Sequence, residues 1–219
     1  MLVIGHRANS WRIAELYRRL GVEAVEVDVS IGPSGVPIVL HGPSEVRRPS
    51  PLGRLIAAID YKFFYRDPVV KPRGLAEWLS RLQWAKTVML DIKSGISITM
   101  LEEAIEESGY RGRLIVSGHD HQLVLEAAGR IGGLAYPSFA TRIIGLEDYV
   151  LKHDFDGVSV KYTMISRGMV SRLRENGVSV VAWTVNDRSL ASMLSCMGVD
   201  GVISDAPWIL GGVGCQERS

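Results

Sequence analysis

Residues 177–205, GVSVVAWTVNDRSLASMLSCMGVDGVISD, decide the fold. The apolar run 178–183 is short and Val-rich, as a parallel strand covered on both faces must be. Asp187 can cap a helix behind it, because its carboxylate accepts N–H groups that a first helical turn leaves free. Leu190, Leu194 and Met197 then fall on one side. Gly198 stops the segment, since glycine tolerates the left-handed turn that ends a helix. Val199 leads straight into a second apolar run, 201–203. Strand, helix and strand in this cadence form a βα unit feeding a parallel neighbour.

The same cadence recurs upstream. Gly21-Val22 and Gly177-Val178 join a helix end to an apolar run just as Gly198-Val199 does. Ser10 predicts the cap of a helix with Ile13, Leu16 and Leu20 inward and its end at Gly21. Thr99 and Glu102 read as a capping box ahead of Leu101, Ala104 and Ile105, closed by Gly109. Further strands are predicted at 2–4, 24–29, 87–92, 114–117 and 157–160, with a weaker one at 133–136. With 178–183 and 201–203 they make eight, enough to close a TIM-type (β/α)8 barrel of the α/β class. An open doubly wound sheet is the alternative that the pattern alone leaves standing.

Two segments interrupt the alternation. Residues 36–41 are an extended run reached from Val29 through Gly32, Pro33, Ser34 and Gly35, which predicts a hairpin. Residues 43–73 are irregular and basic, with Arg47, Arg48, Arg54, Lys62, Arg66, Lys71 and Arg73 against Glu45, Asp60 and Asp67. They read as an excursion beside the barrel mouth within a single domain, 1–219. The aromatic residues Tyr61, Phe63, Phe64 and Tyr65 either anchor that excursion or offer substrate contact.

Composition sets outer bounds. The 219 residues are 47% hydrophobic and 22% charged, which suits one soluble core. A net charge of +1 gives no global pull on nucleic acid or an acidic membrane, so any anion must be attracted locally. No nucleic-acid motif is present. No run is long enough to span a membrane, and His6 and Arg7 interrupt the apolar start, so the expected location is the cytoplasm. Cys196 and Cys215 lack metal-type spacing and read as reduced thiols, Cys196 as a small core residue.

Polar residues gather where the strands end. His6 and Arg7 follow the first strand. Glu26 and Asp28 alternate with valines, which puts both carboxylates on one face about 7 Å apart. His41 ends the run 38–40, and Asp91 and Lys93 straddle Ile92. Ser117, Lys161, Trp183 and Asp205 end later strands, Ser117 and Lys161 being candidates for the pocket wall. Such a ring of polar residues marks the catalytic face of a barrel. Glu26, Asp28 and Asp91 together suit a hard divalent ion, Mg2+ or Ca2+. A metal-free cluster in which Arg7 and Lys93 neutralise Glu26 and Asp28 explains those carboxylates equally well. His119, His121 and His153 read as ordinary packed histidines, and Trp183 is as readily a core residue as a pocket one.

The motifs also carry a resemblance. Gly5-His6-Arg7, Val25-Glu26-Val27-Asp28-Val29, residues 35–41 (GVPIVLH), Arg73-Gly74-Leu75-Ala76-Glu77, Leu90-Asp91-Ile92-Lys93, Ala182-Trp183-Thr184-Val185-Asn186-Asp187 and residues 198–205 follow one another as in glycerophosphodiester phosphodiesterases. The resemblance implies a barrel enzyme that hydrolyses a small-molecule glycerophosphodiester to glycerol phosphate and an alcohol. It further implies a metal on Glu26, Asp28 and Asp91, with His6 and His41 as general base and acid. Arg7 and Lys93 would bind the phosphate, and Trp183 would line the glycerol side. The chain departs from the family at Ala8, where Gly is usual, at Gly42, where Asp is usual, and at Asp91, where Glu is usual. Those departures motivate the reading of a degenerate barrel that binds a phosphorylated ligand without turnover. The basic excursion motivates another, a lysophospholipid-cleaving enzyme at a membrane surface, although stable membrane association is not expected.

Overall fold

The computed structural model describes residues 1–32, 35–41 and 73–215. Among the described residues there are ten strands: β1 (Leu2–Gly5), β2 (Ala24–Ile31), β3 (Pro37–Val39), β4 (Arg73–Gly74), β5 (Thr87–Ile92), β6 (Arg113–Gly118), β7 (Leu134–Phe139), β8 (Gly157–Lys161), β9 (Ser179–Trp183) and β10 (Gly201–Ser204). Seven described α-helices alternate with them: α1 (Trp11–Arg19), α2 (Leu75–Arg81), α3 (Ile98–Ser108), α4 (His121–Ile131), α5 (Leu146–Lys152), α6 (Arg167–Glu175) and α7 (Arg188–Cys196).

Eight strands close into a parallel barrel in the order β1, β2, β5, β6, β7, β8, β9, β10, with β10 pairing back onto β1. The doubly wound alternative is thereby excluded. β3 and β4 continue from β2 as an antiparallel flap outside the ring. The hairpin expected at Gly32 and Gly35 is present, with the Gly32 N–H donating to the Val36 carbonyl. Its central Pro33 and Ser34 lie outside the described residues, as do 42–72 and therefore nearly all of the basic, aromatic excursion.

The core has two parts. The larger lies between strands and helices and includes Val25, Val27, Val88, Leu90, Val158 and Val180. The smaller fills the barrel itself and consists of Ile4, Ala24, Met89, Ile115, Tyr136, Val181 and Ile203, one from each of seven strands. Side chains alternate along a strand, so this plug fixes what stands above it. Two residues after each plug member come His6, Glu26, Asp91, Ser117, Ser138, Trp183 and Asp205. Gly157 makes room in the plug: a Cβ there would lie 2.4 Å from the Tyr136 ring.

Several local readings need correction. Ser97, rather than Thr99, caps α3 and accepts from the Met100 N–H, because the helix begins earlier, at Ile98. Glu102 instead accepts from the Arg130 guanidinium. On α1, Ala14 and Tyr17 are buried whereas Leu16 and Leu20 are exposed. The Tyr17 ring takes the inward place by packing on Gly5, where a Cβ would sit 2.6 Å from it. The cysteines are not reduced: Cys196, at the end of α7, is bonded to Cys215, and this clasps the C-terminal segment. Spacing could not show this, because the pairing depends on the short 3-10 helix Pro207–Leu210 packing against α7.

Candidate active site

A cavity of about 190 Å3 opens at the carboxyl ends of the barrel strands, lined among others by His6, Arg7, Glu26, Asp28, His41, Asp91, Lys93, Ser117 and Trp183. The plug forms its floor through Met89 and Ile203. Larger hollows lie outside the barrel, around Trp11 on α1 and beside the disulfide, but among the described residues no cluster of acids and histidines lines either of them.

Asp28 is the hub. It is 1% exposed and accepts from Asn9 Nδ2 at 2.8 Å, from His41 Nδ1 at 2.8 Å and from Lys93 Nζ at 2.7 Å. Asn9 also accepts from the Asp28 backbone N–H at 2.9 Å, so one buried amide fixes both ends of that residue. Burial pushes the Asp28 carboxyl up, yet the His41 hydrogen bond and the Lys93 charge outweigh it and hold the group well below the usual range. Lys93 bridges to Asp91 Oδ2 at 2.5 Å. Burial disfavours its ammonium, and the two aspartates more than compensate, so it stays charged.

Glu26 is treated differently. It is 4% exposed, and its side chain accepts from the Arg7 backbone N–H at 2.7 Å, with His6 Nε2 at 3.9 Å. Arg7 adopts φ 51°, the left-handed region, and so sits in a backbone strained for a non-glycine residue beside the cavity. Burial first, then the charges of Asp28 and Asp91, push the Glu26 carboxyl well above its ordinary range. Burial likewise raises Asp91.

Ligand oxygens of Glu26, Asp28 and Asp91 all lie within 4.8 Å of one another, so this triad could hold a metal ion. The donor set is all carboxylate, as a hard divalent cation requires. The fit is strongest at Glu26, whose negative charge is poorly compensated within the described residues. The metal-free alternative accounts for Asp28, through Lys93, and among the described residues it gives Glu26 no cationic hydrogen-bond donor, only the His6 imidazole at 3.9 Å.

Both predicted histidines face the cavity and both are oriented through Nδ1. His6 Nδ1 lies 2.7 Å from Asp205 Oδ1, and His41 Nδ1 lies 2.8 Å from Asp28 Oδ1. A carboxylate accepts only, so each Nδ1 carries the hydrogen and each Nε2 is left to exchange a proton. His41 Nε2 is 3.4 Å from an Arg7 guanidinium nitrogen. Asp205 is in turn held by Asn186 Nδ2 at 2.9 Å. Its carboxyl is lowered to about 2, chiefly by the hydrogen bond from His6. The Tyr17 hydroxyl donates to the His6 carbonyl at 2.8 Å, fixing the backbone at the base of that ring.

The sequence reading therefore brings His6, His41, Glu26, Asp28, Asp91, Arg7, Lys93, Trp183 and Ser117 together at one cavity. Lys161 does not line it. It is exposed at the end of β8, two residues beyond Ser159, which does. His119, read as a packed histidine, stands at the cavity mouth with Nδ1 donating to the Ser138 carbonyl at 3.2 Å. His121 and His153 do pack, against Phe139, Tyr149 and Phe155. Sequence reasoning gave no site role to Asn9, Ser138 or Ser159. The signal for both serines was the two-residue step above the plug on β7 and β8; Asn9 lies in a turn and follows no period. Ala8, a departure from the family pattern, is fully buried, and its carbonyl accepts the Trp78 indole N–H at 3.0 Å.

Comparison with known proteins agrees with this geometry. The model of the glycerophosphoryl diester phosphodiesterase family matches residues 134–208. A glycerophosphodiester phosphodiesterase from Caldanaerobacter subterraneus subsp. tengcongensis is 26% identical, over 94% of each chain. A Bacillus subtilis relative is 32% identical, but only over 81 residues, which cover 33% of each chain. Among solved structures, an Oleispira antarctica phosphodiesterase in complex with its product sn-glycerol-3-phosphate superposes with a TM-score of 0.75 at 20% identity, covering 97% of this chain and 96% of that one. The family model over residues 134–208, the near-full-length relative and the barrel architecture all liken the chain to glycerophosphoryl diester phosphodiesterases.

Proposed function

We propose that the protein hydrolyses a glycerophosphodiester to glycerol phosphate and an alcohol, with His6 and His41 exchanging the protons. The observation that carries this reading is the pair of imidazoles, each tied through Nδ1 to a carboxylate and each lining the cavity that holds three acids. One Nε2 takes a proton from the attacking oxygen. The other gives one to the departing alkoxide as its P–O bond breaks. Arg7 and Lys93 offset the charge of the phosphate oxygens, and Trp183 lines the glycerol side.

Glu26, Asp28 and Asp91 would hold a divalent ion, Mg2+ or Ca2+ by donor chemistry. When bound, the ion polarises the phosphoryl oxygens and neutralises their charge. The full set of acids and oriented histidines speaks against a degenerate, non-catalytic barrel. The lysophospholipid reading rested on residues outside the described ones, and no described helix is long and apolar enough to cross a membrane. The expected cytoplasmic location loses the support of the cysteines, because a disulfide persists best in oxidising compartments.

The test is release of glycerol phosphate from glycerophosphoethanolamine with EDTA present and then with Mg2+, Ca2+ or Mn2+ restored, beside His41→Ala. Turnover that returns with metal and disappears in the variant is expected. Wild-type rates in His41→Ala would remove the proton-transfer assignment, and silence toward every diester would remove the hydrolase reading.

A further inference from the structure

Two βα units of the barrel repeat one device. Asn9 and Asn186 follow the strands β1 and β9, and each stands directly before a helix cap, Ser10 or Asp187. The helices α1 and α7 that come next are both nine residues long. The following strand then brings an aspartate back, Asp28 or Asp205, in each case 19 residues after its asparagine. The contacts match as well. Asn9 grips Asp28 by its carboxylate and its backbone N–H. Asn186 does the same to Asp205: Nδ2 donates to Oδ2 at 2.9 Å, and Oδ1 accepts the backbone N–H at 2.9 Å. A backbone N–H only donates, so it fixes which end of the amide is oxygen and turns the NH2 toward the carboxylate. Oδ1 of each aspartate then meets a ring Nδ1, that of His41 or of His6.

We propose that Asn186 is a positioning residue for His6, the counterpart of Asn9 for His41, so that one duplicated Asn–Asp–His device sets both imidazoles in the same tautomer. The inference rests on the phosphodiesterase reading above. The two copies differ in what else holds the aspartate. Asp28 is buried and also receives Lys93. The Asp205 side chain is 54% exposed, so water competes for its oxygens and the carboxylate is free to turn unless something holds it. Asn186 holds Oδ2 and the main chain at once, which leaves Oδ1 aimed at His6. It also accepts from the Ser204 hydroxyl at 3.0 Å, which ties the grip to the last residue of β10. Asn186 acts through Asp205, so it orients the imidazole rather than exchanging a proton. Orientation of this kind matters because proton transfer needs the reacting atoms placed to within a fraction of an ångström.

The experiment reads the histidine tautomers directly, by two-bond 1H–15N correlations on 15N-histidine-labelled protein at about pH 8, where neutral imidazoles dominate, with Mg2+ present throughout. Wild type is compared with Asn186→Ala and Asn186→Asp; the second keeps the shape and the acceptor for the main chain but loses the donor to Asp205. In wild type both His6 and His41 should carry the hydrogen on Nδ1. In both variants His6 alone should move toward the Nε2–H form, with His41 as the reference within the same molecule. Toward glycerophosphoethanolamine, kcat should fall by about tenfold while KM changes by less than about twofold. A His6 tautomer unmoved in both variants, a shift shared by His41, loss of the fold in both, or an unchanged kcat beside an active wild type would overturn the positioning role. A wild type silent toward every diester, whose His6 still shifts alone in the variants, would overturn the hydrolase reading and leave Asn186 as the residue that orients His6.

Discussion

His6 and Asp205 are 199 positions apart in the chain and 2.7 Å apart in space, Nδ1 against Oδ1. Each stands one residue beyond its strand, and the strands β1 and β10 pair in register, Gly5 opposite Ser204. The pair exists only because the first and last strands of the barrel meet. Closure of the ring and orientation of the imidazole are one event.

Asp205→Asn preserves shape but offers His6 an amide whose NH2 can turn toward Nδ1 and favour the wrong tautomer. The expected loss is on the order of 100-fold in kcat, with KM little changed and the pH profile altered. Steady-state kinetics across pH would decide it. A variant as fast as wild type would remove Asp205 from this positioning role.

Glu26→Gln removes a poorly compensated buried charge and a metal-holding oxygen at once. The melting temperature of the metal-free variant should equal or exceed that of wild type, because the repulsion from Asp28 and Asp91 is gone. Added Mg2+ or Ca2+ should raise the melting temperature of wild type and leave that of the variant unmoved. An equal metal-induced rise in both would exclude Glu26 from the site.

The raised Glu26 carboxyl also sets a pH dependence. Its folded value lies above its unfolded one, so the metal-free protein loses stability as pH climbs from about 4.3 through the folded value. Asp28 works the other way: its stabilisation is present above about 3.9 and is lost as pH falls through its lowered folded value. Metal must displace the Glu26 proton, so affinity should strengthen with pH up to that raised value. Titration calorimetry in two buffers of different ionisation enthalpy should register proton release, and its absence across the acidic range would contradict the assignment.

Asn9→Ala leaves both the Asp28 carboxylate and its backbone N–H short of a partner at a buried position. A cost of about 2–4 kcal/mol is expected, with activity falling alongside as His41 loses its fixed anchor. Urea unfolding measures the first and turnover the second. A neutral substitution would show that water replaces the amide.

Cys215→Ser opens a loop whose ends are 19 residues apart in sequence. The chain-entropy argument gives about 3 kcal/mol, or a melting temperature lower by roughly 6–12 °C. Wild type treated with dithiothreitol should fall to the same value. No change on reduction would mean that the clasp adds nothing to stability.

The barrel was legible because its strands are covered on both faces and its helices begin and end on Ser, Asp and Gly at regular places. The acids and histidines were legible because alternation on a strand puts Glu26 with Asp28, and Asp91 with Lys93, on one side. Asn9 and His119 escaped because each lies in a turn, where no period assigns a direction. The disulfide escaped because it depends on how residues 197–214 double back. The burial of Tyr17 in place of Leu16 and Leu20 depended on space opened by Gly5, which is a tertiary fact.

The flap of β3 and β4 has one more consequence. The chain leaves the described barrel at His41 and returns at Arg73, whose Cα partner is Val39, so departure and re-entry are neighbours on the same ladder. β3 is therefore held on both edges, by β2 and by β4, so His41, two residues beyond Val39, follows a strand that can shift only by breaking both ladders.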